Sequence, residues 1–230
     1  KTKVIAISHV QFTSGFKTDL QKLGLFCKEH NIDLIVDAAQ SLGCLPLYPE
    51  EWNVSAVVSS GWKWLMGPIG TGILYTSPQL REKLNITMAG ADMMKQGQDY
   101  LNHTWQPLHC GGLFEYSTVS ISLLAGLDVC IREISLKYGI ENVFKENQRL
   151  QKLFLDGLNN KDIRPVIFSE ENRSGILALD CKKDPNMMMK ELYKKGIICT
   201  SRGNYLRFAP HIYNSDEEVC RLLAFLNTYK

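Results

Sequence analysis

The chain opens on a short, unbroken apolar run, Val4-Ile5-Ala6-Ile7, followed by a loop at Thr13-Ser14-Gly15. A run this short and this apolar predicts a strand buried on both faces, not one that alternates between core and solvent. Thr18 and Gln21 stand at the spacing of a capping box, and Leu20, Leu23, Phe26 and Cys27 share one face of the helix that should follow, with Asn31 closing it. Residues 32–36 form a second apolar strand ending at Asp37. Two such strands bracketing an amphipathic helix argue for a parallel sheet with helices packed on it, an α/β fold.

The buried-strand signal repeats at 54–59 and again at 70–75, and Ser77-Pro78 reads as the cap and first-turn proline of a short helix. Periodicity disappears from Asn85 to Tyr116, a length of loop that compact domains reserve for function. An amphipathic helix is expected over 121–136, ending near Gly139, and a second over 143–158. The remainder predicts strands at 164–168, 175–179, 196–200 and 205–208. Between them lies a helix capped by Asp184 with Pro185 in its first turn, and after them a last helix opened by the capping box Ser215 to Glu218. The pattern therefore divides into a large α/β domain, 1–138, and a small α+β domain, 139–230.

Charge and cysteine content narrow the function. The 230 residues carry 26 Lys and Arg against 24 Asp and Glu, without a block of like charges. The electrostatic footprint of a nucleic-acid binder or of a membrane-surface helix is absent, and small-molecule chemistry is favoured. No apolar run approaches the roughly 18 residues that span a bilayer, and no secretory signal pattern opens the chain. Seven cysteines, odd in number and without a Cys-x-x-Cys pair, suit buried thiols in a reducing compartment, so a cytoplasmic protein is expected. An apolar strand this close to Lys1 points to a missing upstream segment. His9, His103, His109 and His211 do not share metal-ligand spacing, and no metal is expected.

In an open parallel sheet, ligands bind beyond the carboxyl ends of the strands. Asp37 ends one strand, with Gln40 and Ser41 just after it, and Ser59-Ser60 ends another, just before Gly61-Trp62-Lys63-Trp64. A carboxylate, an amide and a lysine can therefore converge at one edge. Taken singly, Asp37 also reads as a turn cap and Lys63 as a surface side chain.

Taken together, Asp37-Ala38-Ala39-Gln40-Ser41, Ser60-Gly61-Trp62-Lys63 and Gly67-Pro68-Ile69-Gly70-Thr71-Gly72-Ile73-Leu74-Tyr75 resemble the core of the class V aminotransferase and cysteine desulfurase family. These enzymes use pyridoxal 5′-phosphate (PLP) on fold type I. The Asp37-to-Lys63 spacing is similar to theirs, and the resemblance runs from Ser8-His9-Val10 to the C-terminal helix. It implies the second half of a mainly parallel large-domain sheet plus a C-terminal α+β domain. The chain lacks the upstream half in which relatives carry a phosphate-binding loop and a ring-stacking aromatic or histidine.

The resemblance also implies roles. Lys63 is the amine that condenses with the cofactor aldehyde and later moves protons at the substrate α-carbon. Asp37 faces the pyridine nitrogen, where a charge-assisted hydrogen bond is worth on the order of 1.5–3 kcal/mol. Gln40 bonds the ring's phenolic oxygen, Ala39 lies against the ring and Ser60 contacts the phosphate. Trp62 departs from the pattern: relatives carry a histidine there that donates to the phosphate, whereas an indole donates one bond without charge. Trp64 is as readily packing as function. Thr118, in Phe114-Glu115-Tyr116-Ser117-Thr118, corresponds to a threonine that reaches the phosphate of a neighbouring subunit, implying a homodimer, though it could also cap the next helix. Arg207 matches the arginine that holds the substrate α-carboxylate through its planar fork; an ion pair with a nearby acid is the alternative, and Arg202 is a reserve candidate.

The reaction is less constrained than the cofactor. Cysteine desulfurases of the family carry a nucleophilic cysteine on a loop before the carboxylate arginine, yet residues 200–206 hold none, and Cys199 reads as packing. The isopenicillin N epimerase-like and aminotransferase branches remain, acting on an amino acid at its α-carbon. A desulfurase or C–S lyase is the alternative reading, with Cys110 as a distant sulfur acceptor. A further alternative is a cofactor-free fragment or interaction module holding half an active site.

Overall fold

The computed structural model describes residues 1–97 and 99–229. These fall into two compact units. The first comprises Lys1–Ser8, Leu20–Ala39 and Leu47–Ile131, and the second comprises His9–Asp19, Gln40–Pro46 and Arg132–Lys230.

The first unit is built on a four-stranded sheet of order β1-β2-β3-β4, formed by Val4–Ser8, Asp33–Asp37, Ala56–Ser60 and Gly72–Thr76. β1, β2 and β3 run parallel, as their apolar sequences predict, and β4 pairs antiparallel with β3. Helix α1 (Leu20–Glu29) buries Leu20 and Cys27, and the sheet buries Leu34, Val36 and Val57. The helix begins at Leu20, a residue later than a cap at Thr18 places it. Burial on both faces, the other expectation, does not hold: Val4, Val58 and Leu74 lie on the opposite face, at 41–53% exposure. That open face also carries Asp37 and Ser60, by the two-residue alternation of a strand.

Ser77 accepts from the Leu80 amide and caps α2 (Pro78–Lys83). The aperiodic stretch that follows is more organised than its pattern suggests. Short 3₁₀ turns form at Ala91–Met93 and Gly111–Phe114, Met94 bridges Pro107, and Met93 is fully buried. Helix α3 (Ile121–Cys130) then buries Leu127 and leaves Ile121, Leu124 and Val129 exposed, so the expected amphipathic stripe is absent. A π-helical stretch, Ile131–Gly139, follows it and ends where Gly139 takes φ 94°.

The second unit holds an antiparallel sheet of order β5-β6-β8-β7, formed by Ile163–Pro165, Leu177–Cys181, Tyr205–Phe208 and Thr200–Arg202. Its core joins Leu177, Leu179, Leu206 and Phe208 to Leu150 and Phe154 of α4 (Ile140–Gly157), Met188 and Leu192 of α5 (Pro185–Lys194), and Leu222 and Leu226 of α6 (Asp216–Thr228). The caps at Asp184 and the box between Ser215 and Glu218 form as the sequence predicts. The strand expected at 196–200 does not: pairing begins at Thr200, and residues 196–199 leave the sheet. A cavity of ≈ 490 Å³ lies among this stretch, α4 and α6. All seven cysteines are free thiols, but only Cys27 and Cys44 are buried, so the expectation of buried thiols holds for these two alone. Among the described residues no helix is long and apolar enough to cross a membrane.

One glycine tests the packing directly. A Cβ on Gly24, in the middle of α1, would stand 1.7 Å from the Trp52 carbonyl oxygen and 2.9 Å from its carbon. Helix propensity alone makes Gly24→Ala stabilising by about 1 kcal/mol. Backbone overlap makes it destabilising by about 1–3 kcal/mol instead. Urea unfolding of the variant should show the loss; a gain would mean that α1 does not dock there.

Candidate cofactor and substrate site

In the first unit, β2 delivers Asp37 to the carboxyl end of the sheet. Its Oδ1 accepts from the Ala39 amide at 2.9 Å and its Oδ2 from the Ser8 hydroxyl at 3.4 Å. The carboxylate is thus held by one amide and one hydroxyl and remains exposed. β3 ends alongside at Ser60, whose hydroxyl oxygen is buried and has no hydrogen-bond partner among the described residues. Asp37, Ala39 and Ser60 border one open depression of ≈ 570 Å³, floored by Val58, Gly72 and Leu74. Gly72 adds no side chain to this floor; a Cβ there would stand 3.0 Å from the Ser59 carbonyl oxygen.

Lys63 follows on a turn closed by backbone bonds: Gly61 donates to Thr71 at 2.9 Å, Gly67 to Gly61 at 2.8 Å, and Met66 to Lys63 at 2.9 Å. The turn is pressed against α3. A Cβ on Gly67 would meet Leu127 Cδ1 at 2.6 Å, and one on Gly61 would meet Thr71 Oγ1 at 2.2 Å and Leu127 Cδ1 at 3.2 Å. Cys130 donates from the other end of α3 to the Met66 carbonyl at 3.2 Å. Only glycine permits this approach, which accounts for Gly61 and Gly67. Lys63 Nζ sits 5.5 Å from the centre of the Trp62 ring, a cation–π contact worth about 0.5–1 kcal/mol at an exposed position. Trp64 is 7% exposed and is a packing residue.

Trp62, Lys63 and Thr118 do not border the depression. Thr118 is exposed in the same unit, two residues ahead of Ser120, which occupies the N-cap of α3; Thr118 is not the cap.

In the second unit, Arg207 on β8 donates from Nη2 to Gln40 Oε1 at 2.9 Å. Its Nε is buried and has no partner among the described residues. Burial pushes the guanidinium below its ordinary range, and the positive charge of Arg202 adds to the effect. Among the described residues the ion pair considered for Arg207 does not form; a neutral amide takes its place. Next to Gln40, Ser41 is fully buried and its hydroxyl lies 3.0 Å from His9 Nδ1. Sequence reasoning passed over Thr200, whose Oγ1 is also buried without a partner and which stands opposite Arg207 in the ladder. Its two-residue spacing from Arg202, which puts both on one face of a strand, was the available signal. Among the described residues no group of three or more His, Cys, Asp or Glu could hold a metal ion.

Set against known proteins, the architecture matches solved structures of several enzymes. A cystine C–S lyase, C-DES, in complex with cysteine persulfide aligns with TM-score 0.87 and 23% identity over 99% of this chain and 61% of its own. A mutant of the same lyase holds glycine covalently linked to its PLP cofactor. An alanine–glyoxylate aminotransferase from Nostoc sp. aligns with TM-score 0.76 and 20% identity over 97% and 60%. The fold is that of the PLP-dependent fold type I enzymes.

Residues 1–222 match the family described as Aminotransferase class-V, and the chain belongs to that family. Among curated relatives, a probable cysteine desulfurase of Borreliella burgdorferi is 26% identical over 99% of this chain and 55% of its own length. A cysteine desulfurase of Escherichia coli O157:H7 is 24% identical over 100% and 56%. The chain thus spans about half the length of these relatives.

The His9 and Ser41 pair carries a pH signature. Burial, with the Lys17 charge beside it, lowers the His9 pKa from 6.5 to about 4. Between those values the unfolded chain binds more protons than the native one, so stability is full above pH 6.5 and is lost as pH falls toward 4. The native protein should lose about 2 kcal/mol from this group between pH 7 and pH 5. Urea unfolding at both pH values, compared between wild type and His9→Gln, isolates the contribution; equal pH dependence in the two proteins would contradict it.

Proposed function

We propose that the chain is the lysine-bearing part of a pyridoxal 5′-phosphate enzyme that acts at the α-carbon of an amino acid, aminotransferase-like in its reaction. The observation that carries this reading is the buried, unpartnered Ser60 hydroxyl beside the Asp37 carboxylate at the strand ends. A hydroxyl with an empty hydrogen-bond position fits a phosphate oxygen, and an exposed carboxylate fits a protonated ring nitrogen. The small Ala39 leaves room for a flat ring between them. Asp37, Ala39 and Ser60, which border the depression, therefore fit the cofactor, and Lys63, Gln40 and Trp62 are proposed as the further residues that hold it.

When bound, the cofactor supplies an aldehyde for an amine and a ring that accepts the electron pair released at an amino-acid α-carbon. Lys63 provides that amine and moves the proton at the α-carbon. Asp37 holds a proton on the ring nitrogen. The Trp62 indole N–H, in place of the family's histidine, would offer the phosphate a single donor without charge. Gln40 offers its amide Nε2 to the ring oxygen while its Oε1 takes Arg207, and Arg207 binds the α-carboxylate. Thr118 serves the phosphate of a second copy in a homodimer, a reading supported by the exposed Ile121 and Leu124 just after it. The division into a large domain, 1–138, and a small domain, 139–230, is proposed on the same footing, as is a cytoplasmic location, supported by seven free thiols.

A second reading, cysteine desulfurase, is favoured by the names of the relatives. Against it, β7 and β8 are joined through Gly203 and Asn204 in a tight hairpin without a cysteine. Burial pushes the nearby Cys199 thiol up to about 12, so it stays protonated and a poor nucleophile. A cofactor-free module is the remaining alternative. Incubation with PLP, borohydride reduction and peptide mass mapping should find the pyridoxyl group on Lys63 and nowhere in Lys63→Ala. A wild-type chain left unlabelled would favour the module.

A further inference from the structure

The second sheet has one face turned to its helices and one turned away. Thr200 stands opposite Arg207 and Arg202 opposite Tyr205 across the hairpin of β7 and β8. These four therefore share the outer face, while Leu206 and Phe208 enter the core on the other. The outer face is unevenly charged. Its carboxylate is Asp180, opposite Tyr205 on β6, and Arg164 on β5 stands directly across from it. Three arginines, Arg164, Arg202 and Arg207, share this face with that one carboxylate, which leaves two positive charges in excess. Neither Arg202 nor Arg207 has a carboxylate partner among the described residues: Arg207 donates to the Gln40 amide, and Arg202 to the Ser201 carbonyl at 3.1 Å.

A half-buried arginine beside a second arginine is costly unless something negative completes the site. Two buried atoms await a partner there, Arg207 Nε and Thr200 Oγ1, on residues that face each other in the ladder. One carboxylate accepting from both leaves Arg202 unmatched. Arg202 lies diagonally across the ladder from Arg207, a separation of about 7–8 Å that two long side chains bridge easily. Like charges held at that spacing match an anion at each end of one small ligand.

We infer that Thr200, Arg207 and Arg202 form a two-anion site, with Thr200 and Arg207 on the α-carboxylate and Arg202 on an anionic group at the end of the side chain. The substrate class is then an acidic amino acid, or the corresponding dicarboxylic keto acid. This rests on the proposed role of Arg207 and adds to it the selectivity supplied by Arg202.

Calorimetric titration of the chain with glutarate and with valerate, acids of equal length with two and one carboxylates, tests the site without any turnover. Glutarate should bind about tenfold tighter, as expected for one further charge-assisted hydrogen-bonded contact. Arg202→Gln should erase that preference and leave valerate binding unchanged, Arg202→Lys should restore part of it, and Thr200→Val should weaken both acids. A preference that survives in Arg202→Gln, or its absence in the wild type, would overturn the inference. The role of Arg207 is read separately: undiminished valerate binding by Arg207→Gln would refute that role alone, and a wild type that binds neither acid would refute both.

Discussion

The first unit is organised by one close approach, the turn from Gly61 to Thr71 against α3. Gly61 and Gly67 have no space for a side chain because Leu127 and Thr71 already fill it. That contact leaves the turn little freedom, and Lys63 lies within it, two residues after Gly61. With Ser60 fixed by the β3 ladder and Lys63 by the turn, the amine and the hydroxyl are carried on two rigid pieces of backbone joined by two residues. Precision of this kind is what a site on secondary-structure ends has over one on a free loop.

Electrostatics divides the remaining work. Asp37 sits exposed, with its oxygens taken by one backbone amide and one serine hydroxyl, and so faces outward as an acceptor. Arg207 is the opposite case, half-buried and, among the described residues, matched to a neutral amide. A desolvated cation without an anion stores interaction energy that a bound carboxylate releases, whereas an arginine already paired would have to exchange one anion for another. The first unit thus carries an acceptor and an amine, and the second, taken by itself, carries a cation-rich sheet face.

Much of this was legible in the sequence, for identifiable reasons. The apolar runs within β1 and β2 marked them as parallel strands, and Ser77, Asp184 and Ser215 marked helix starts because their side chains satisfy specific backbone amides. Asp37 and Ser60 could be placed at strand ends because strand periodicity stops there. Other features depend on partners remote in sequence. Residues 196–199 look like a strand by composition, yet pairing starts only at Thr200. The apolar composition of α3 suggested an amphipathic helix, but nothing local says which of its residues find a neighbour. The partner of Arg207 was unreadable, since Gln40 is separated from it by most of the chain. The open face of the first sheet was equally hidden, because strand composition reports the capacity for burial and not the presence of a cover.

The central claim is that Asp37 polarises a pyridine ring held at the end of β2. Nitrogen-15 NMR of PLP labelled at its ring nitrogen, bound to the chain, tests it most directly. A ring nitrogen that stays protonated in the wild type and loses its proton in Asp37→Ala is the predicted result. A bound ring whose nitrogen has the same protonation with and without the carboxylate would contradict the account.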